Sequence, residues 1–305
     1  MPELALHIAH FESLKRLEKF LLQRDARSLC LPTPSFGFEQ QGWSRFLEAN
    51  QGWLPQAKVT RIYLGSEFCR WLQPSPEEER AGFETIAKQG FRGTLVLPVV
   101  PQTMHKGLAE RVARASQGTA GFEVVCNDWG TAALLSKAGF EVVAGRFLFR
   151  MKRMPRISGS TVPEHSGAGT SKEMLQRQLQ EWREIPTNAP WFADFLRSQG
   201  VCRAECELTP NGYTVRPHEG ISLSLLAPWS YVTGGGTCPL ETLVEDGDTV
   251  SCLQRCKTSY IVPQYPSKTR PTVQIGHTVF SKFEHFYKLQ GDVFDRIVLE
   301  PGIPM

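Results

Sequence analysis

Three cysteines stand close together late in the chain, in the stretch TCPLETLVEDGDTVSCLQRCK: Cys238, thirteen residues, Cys252, three residues, Cys256. The segment is rich in acidic residues and has no apolar core run, so its connections are loose enough to wrap a metal centre. Cys252 and Cys256 at i and i+4 are expected to share one helical face. Soft metal sites of this kind usually close with four thiolates. Five further cysteines are available. Cys30 and Cys126 lie in short apolar runs, where a free cysteine behaves as a small buried hydrophobe. Cys202 and Cys206 lie four residues apart in the alternating run VCRAECEL; at about 3.3 Å per strand residue they are roughly 13 Å apart, too far for one ion. Cys69 follows the strand-like run RIYLG by four residues, where a loop can aim it at a shared site. It is the expected fourth ligand.

The blocks KVTRIYLGSEFCR and FEVVCNDWGTAALLSKAGFEVVAG, taken with Cys238, Cys252 and Cys256, resemble the peptidase U32 family. The nearest part of that family is its UbiV-like branch, which serves oxygen-independent ubiquinone biosynthesis. Members of the branch carry a strand ending in YLG, a cysteine four residues beyond that glycine and a late cysteine triplet, which together bind a four-iron four-sulfur (4Fe-4S) cluster. The resemblance implies the ligand role for Cys69, Cys238, Cys252 and Cys256, a modified barrel fold, and a second U32-family subunit as partner. This chain departs from the pattern by one extra residue between Cys238 and Cys252, by the approach VTGGGTC, and by a long insertion after Ala144-Gly145.

With 305 residues, 41% hydrophobic and 21% charged, the chain has ordinary globular composition and is long enough for one large α/β domain. A net charge of +3 gives no global field toward nucleic acid or a membrane surface. Eight cysteines without a secretion signal point to reduced thiols or a metal in a reducing compartment. Nowhere do eighteen apolar residues run together, so a cytoplasmic protein without membrane insertion is expected.

The elements that must position the cysteines follow from periodicity. Ile8, Phe11, Leu14, Leu17 and Leu21 predict an amphipathic helix over 5–24, an N-terminal helical extension occupying 1–26. A barrel domain over 27–305 follows. Its strands are expected at SLCLPTP, KVTRIYLG, GTLVLPVV, FEVVCND, EVVAGRF, VCRAECEL, ISLSLLAPW and DRIVLEP, with helices between most of them. Ser75-Pro76-Glu77-Glu78 is a capping-box helix start. Ser281 with Glu284 predicts another, opening a helix through Tyr287. The stretch from about 151 to 170 is basic, then rich in Gly, Ser and Pro, and reads as a flexible insertion. Arg146 and Arg150 just before it and Lys152, Arg153 and Arg156 within it are candidates to grip phosphates. Eight strands alternating with helices make an α/β modified (β/α)8 TIM-like barrel with an extra N-terminal helix.

Chemistry in such barrels sits at the carboxyl ends of the strands. That rim is expected to carry Glu67, Cys69, Gln102, His105, Asn127, Asp128, Arg146, Glu205, Glu207, Trp229, Tyr231 and Glu300. Asp128 and Glu67 are the candidate acid/base residues, although an Asn-Asp pair opening a helix is also a common cap. No metalloprotease pattern occurs and Ser230 has no neighbouring histidine, so peptidase activity is not expected. The resemblance implies a cluster-binding subunit of an oxygen-independent hydroxylase acting on a quinone precursor with a redox partner. An RNA-hydroxylating factor of the wider family and a zinc-stabilised scaffold are the alternatives.

Overall fold

The computed structural model describes residues 2–10, 37–52, 58–151, 172–209, 212–216, 220–235, 237–246, 249–262, 272–282 and 294–305. Eight strands close into a parallel barrel: β1 (Glu3–Ile8), β2 (Val59–Leu64), β3 (Arg92–Val96), β4 (Glu123–Cys126), β5 (Glu141–Ala144), β6 (Val201–Glu207), β7 (Ser222–Ala227) and the final strand Arg296–Leu299, which pairs with both β7 and β1. Helices α1 (Gly37–Ala49), α2 (Pro76–Lys88), α3 (Leu108–Ser116), α4 (Trp129–Lys137), α5 (Lys172–Arg183) and α6 (Pro190–Ser198) lie between successive strands. This is the expected TIM-like α/β barrel.

One strand was misassigned by periodicity. The barrel begins with Glu3–Ile8, which the helical spacing of Ile8, Phe11, Leu14, Leu17 and Leu21 assigned to a helix. Leu4, Leu6 and Ile8 alternate with Ala5 and His7, and that period of two prevails because the segment pairs on both edges, with β2 and with the last strand. The barrel domain therefore includes residues assigned above to an extension. The rest of that helix, the strand at SLCLPTP with Cys30, and the insertion at 152–171 with Lys152, Arg153 and Arg156 lie outside the described residues.

Each strand sends alternate side chains outward and inward. Leu4, Ile62, Leu95, Val124, Val142, Ala204 and Leu225 face the helices in one continuous apolar shell. Cys126 and Cys206 have the same parity and are buried in that shell, so both are core. Inside, Ala5, Tyr63, Val96, Val125, Val143, Leu226 and Val298 form a closed apolar layer. Below it Arg61 and Arg296 bind Glu3 and Glu123. Above it lies a second polar layer, at the carboxyl ends of the strands. Capping starts α2 as expected: Glu78 N–H donates to Ser75 Oγ at 3.2 Å and Ser75 N–H to Glu78 Oε2 at 2.8 Å.

Over the carboxyl end sit two smaller sheets. Strand β8 (Trp229–Gly234) pairs with a hairpin absent from the sequence reading, which took that region as irregular. Between them runs the hairpin of β9 (Leu243–Asp246) and β10 (Thr249–Cys252). The second hairpin is β11 (Thr272–Ile275) with β12 (Thr278–Lys282). Ser281 pairs with Ser230 inside β12 rather than capping a helix there; residues 283–290 are not among those described. The barrel's last strand is thus β13 (Arg296–Leu299).

Candidate metal centre

Cys69, Cys238, Cys252 and Cys256 line one cavity of about 520 Å³ over the barrel mouth. Its wall also includes Phe68, Trp71, Val99, Phe147, Glu241, His277 and Met305. The four cysteines come from three separate pieces of structure; the Cys238 carbonyl accepts from Glu241 N–H at 3.1 Å.

Cys69 lies just past β2, where Ser66 Oγ accepts its N–H at 3.3 Å. Its carbonyl accepts from Leu72 N–H at 3.1 Å, closing the single turn Arg70–Leu72. Cys252 ends β10, and Cys256 lies in the turn Arg255–Lys257. The two do not share a helical face, as the i, i+4 spacing suggested. Gln254 between them adopts the left-handed conformation (φ 53°), which ends the strand and turns Cys256 back toward the cavity. The Gln254 N–H points at Cys252 Sγ at 3.4 Å, while its side-chain amide donates to the Trp71 carbonyl. This one residue ties the late cysteine loop to the Cys69 turn. His277 makes the second tie, with Nε2 3.0 Å from the Phe68 carbonyl. Beside it Gly276 adopts φ +56°, a conformation side chains rarely take, and a Cβ there would stand 2.9 Å from Met305 Cε, 3.6 Å from Cys238 Sγ and 3.7 Å from Cys256 Cβ.

Burial pushes the Cys69, Cys238 and Cys256 thiols up, Cys256 to about 11. Neighbouring cysteines push in the same direction, because thiolates gathered in one cavity repel. Positive charge placed among them would reverse that balance and release their protons. Cys202, by contrast, is exposed at the start of β6, and its Sγ lies 3.5 Å from the Val142 carbonyl.

Beneath the cavity, the polar layer of the barrel is closed to solvent. Arg146 is wholly buried, and its guanidinium reaches Glu67 Oε2 at 2.7 Å, Glu207 Oε1 at 3.4 Å, and Glu300 Oε1. It also donates to the Trp229 carbonyl at 3.4 Å. Arg146 is therefore an internal cation, not a phosphate-gripping residue of the basic stretch. Burial opposes its charge, yet Glu300, Glu67 and Glu205 outweigh burial and hold it ionised. Burial pushes the Glu67 carboxyl up against the pull of Arg146, and pushes Glu205 up further, reinforced by Glu67. Arg150 is exposed and donates to the Val232 carbonyl at 3.2 Å.

Phe68, Phe147, Tyr231 and Phe280 form an aromatic wall between this layer and the cysteines. Phe68 stacks on Tyr231 with centroids 5.2 Å apart and meets Phe280 edge-on at the same distance. The Arg146 guanidinium lies 5.4 Å from the Phe68 ring centroid. Sequence reading placed Arg146 and Tyr231 on the rim but did not single out Phe68, Phe147 or Phe280, whose ring contacts join segments far apart in the chain.

Of the acid/base candidates, Asp128 is a cap. Its Oδ1 accepts from Thr131 N–H at 2.7 Å, and its Oδ2 from Thr131 Oγ1 at 2.8 Å and Val100 N–H at 3.0 Å, so no oxygen faces the cavity uncommitted. Glu67 is held by Arg146. His105 lies 3.4 Å from Thr131 Oγ1, on the α4 side, and Gln102 is exposed beside it. Asn127 joins Leu97 to Phe147. Among the described residues, no helix is long and apolar enough to cross a membrane. No protein-family model matches the chain, and no curated protein does.

Proposed function

We propose that Cys69, Cys238, Cys252 and Cys256 hold a 4Fe-4S cluster, and that the protein serves oxygen-independent hydroxylation in quinone biosynthesis. The observation carrying this reading is the convergence of these four thiols on one cavity, although 168 residues separate the first from the next. Cys126, Cys202 and Cys206 take no part in it.

The sequence spacing favours a cluster over a zinc ion: structural zinc sites usually draw on two close cysteine pairs, and here Cys252 and Cys256 form one. A cluster with four cysteine ligands supplies one-electron transfer at a potential tuned by hydrogen bonds to its sulfurs. The Gln254 N–H at Cys252 is such a bond, the aromatic wall excludes water from below, and Gln254 and His277 lock the two loops together. The cavity's volume lies within the range of small-molecule sites. Its outer wall of Val99, Pro101, Arg70 and Trp71 offers an apolar face with one cation for an aromatic precursor. The cytoplasm, a second U32-family subunit and a redox partner complete this reading, which rests on the resemblance of the YLG–Cys69 block and the late cysteine triplet.

The test is anaerobic purification of the wild type and of Cys→Ala variants at 69, 238, 252 and 256, with Cys202→Ala as control. Iron and sulfide near four atoms each per chain are expected in wild type and control, and loss of most of both in each of the four variants. Zinc bound at these cysteines, or no metal, overturns the cluster. Accumulation of an under-hydroxylated quinone precursor on deletion is the expected physiological readout; a modified-RNA defect in its place would move the substrate to RNA.

A further inference from the structure

The polar layer beneath the aromatic wall has more negative than positive groups. Glu67, Glu205, Glu207 and Glu300 surround the single guanidinium of Arg146, and each of these carboxylates is at most 1% exposed. Glu300 Oε2 and Glu205 Oε1 find no hydrogen-bond partner, although both are buried. A buried oxygen without a partner costs free energy, so the arrangement persists where something binds it.

His7 identifies what binds. Its Nε2 lies 2.9 Å from the Gly65 carbonyl, which can only accept, so Nε2 carries the hydrogen. Nδ1 then points at Glu300 Oε1, 3.4 Å away. That oxygen also accepts from Arg146, and in the neutral ring its lone pair and that of Nδ1 would face each other across the gap; a proton on Nδ1 donated to Oε1, or a metal cation drawn to both, removes the repulsion. Donor atoms of His7, Glu67 and Glu300 all lie within 4.8 Å of one another. Three nitrogen and oxygen ligands about 2.0–2.2 Å from one ion stand roughly 3.3–3.8 Å apart, so side-chain adjustments of up to about 1 Å close the site.

The surroundings fit ligation as well. A metal-bound histidine generally gives its other N–H to a carbonyl, and bound carboxylates are themselves hydrogen-bonded. Here Gly65 receives the histidine N–H, while Arg146 binds Glu67 Oε2 through its guanidinium, Glu67 Oε1 through its backbone N–H at 3.4 Å, and Glu300 Oε1, leaving Glu300 Oε2 without a partner. Gly65 is required at that point: its φ is +126°, and a Cβ would meet the Val96 carbonyl oxygen at 2.3 Å.

We propose that His7, Glu67 and Glu300 bind a divalent cation of the manganese, iron(II) or zinc class inside the barrel mouth, at a site separate from the cysteines. One imidazole and two carboxylates suit these ions better than calcium or magnesium, which prefer all-oxygen shells. The site does not depend on any metal at the cysteines.

The full chain, expressed in manganese-supplemented medium and gel-filtered in metal-free buffer, tests this by counting every divalent metal per chain. Four proteins are compared: wild type, Cys238→Ser/Cys252→Ser, and that double variant with either Glu300→Gln or His7→Gln added. In the double cysteine variant, about one manganese, iron or zinc per chain is expected to remain, with none of the sulfide that marks a cluster. Glu300→Gln and His7→Gln should each retain at least tenfold less of that ion. Glu300→Gln keeps an acceptor for Arg146; where it fails to fold, His7→Gln carries the comparison. A double cysteine variant with no divalent metal overturns the site, as does full retention of the ion by folded His7→Gln or Glu300→Gln.

Discussion

Replacing Arg146 by Met keeps most of the side chain's volume and removes the buried guanidinium that Glu67, Glu207 and Glu300 contact. In the wild type, Arg146 donates to Glu67 at 2.8 Å through Nε, approaches Glu207 at 3.4 Å and binds Glu300, with no part of the side chain exposed to solvent. Deleting one partner of such a buried pair costs about 3–5 kcal/mol, most of it the penalty of the stranded charge. At roughly 2–4 °C per kcal/mol for a chain of this size, the melting midpoint should fall by roughly 6–20 °C. Thermal unfolding followed by fluorescence is suited to this, because Trp229 is buried here and its Nε1–H donates to the Glu300 carbonyl at 3.0 Å. A double-mutant cycle separates charge from packing. In a Glu300→Gln background one stranded carboxylate is gone, so Arg146→Met should cost at least about 1 kcal/mol less than in wild type. Additivity of the two changes within about 0.5 kcal/mol, or a loss below about 1 kcal/mol for Arg146→Met alone, would refute the account of Arg146 as the counter-ion of this layer.

Two further outcomes follow from the lower half of the barrel and the mouth. Burial pushes the Glu3 carboxyl up, but Arg296 and Arg61 outweigh it and hold it below its ordinary value of 4.5. A carboxylate lowered on folding contributes stability that is present above its unfolded value and lost as pH falls through its folded one. Glu3→Gln should therefore cost about 1.5–3 kcal/mol at pH 7 in urea unfolding, with the gap to wild type closing below pH 4.5; a gap constant from pH 7 to pH 3 contradicts the pairing. Gly65→Ala forces a side chain into φ +126° and onto the Val96 carbonyl, and should cost more than about 2 kcal/mol. Equal stability of that variant and wild type in the same urea experiment would show that the turn relaxes freely.

Local signals made much of this protein legible before its fold was known. Short apolar and β-branched runs marked seven of the eight barrel strands, since strands buried on both faces carry that composition. The Ser75 and Asp128 caps were readable because capping is completed within three residues. Cysteine spacing singled out Cys238, Cys252 and Cys256, and the position of Cys69 just past a strand end brought it into the same set. At Glu3–Ile8 local reading failed, because one Ile serves a helical and an alternating pattern equally well and only pairing with two neighbours decides between them.

Tertiary structure alone decided what the rim residues meet. Arg146 looked like the first residue of a solvated basic run, yet barrel closure brings it to Glu67 and Glu300, 79 and 154 positions away. Strand parity, once the register is set, turns Cys126 and Cys206 outward into the shell and Glu205 and Glu207 inward. The ties of Gln254 to Trp71 and of His277 to Phe68 join segments some two hundred residues apart, and they bring Cys69 to the other three thiols. Spacing along a chain constrains neighbours a few residues apart; contacts at that range are set by how the barrel closes and what its mouth must bury.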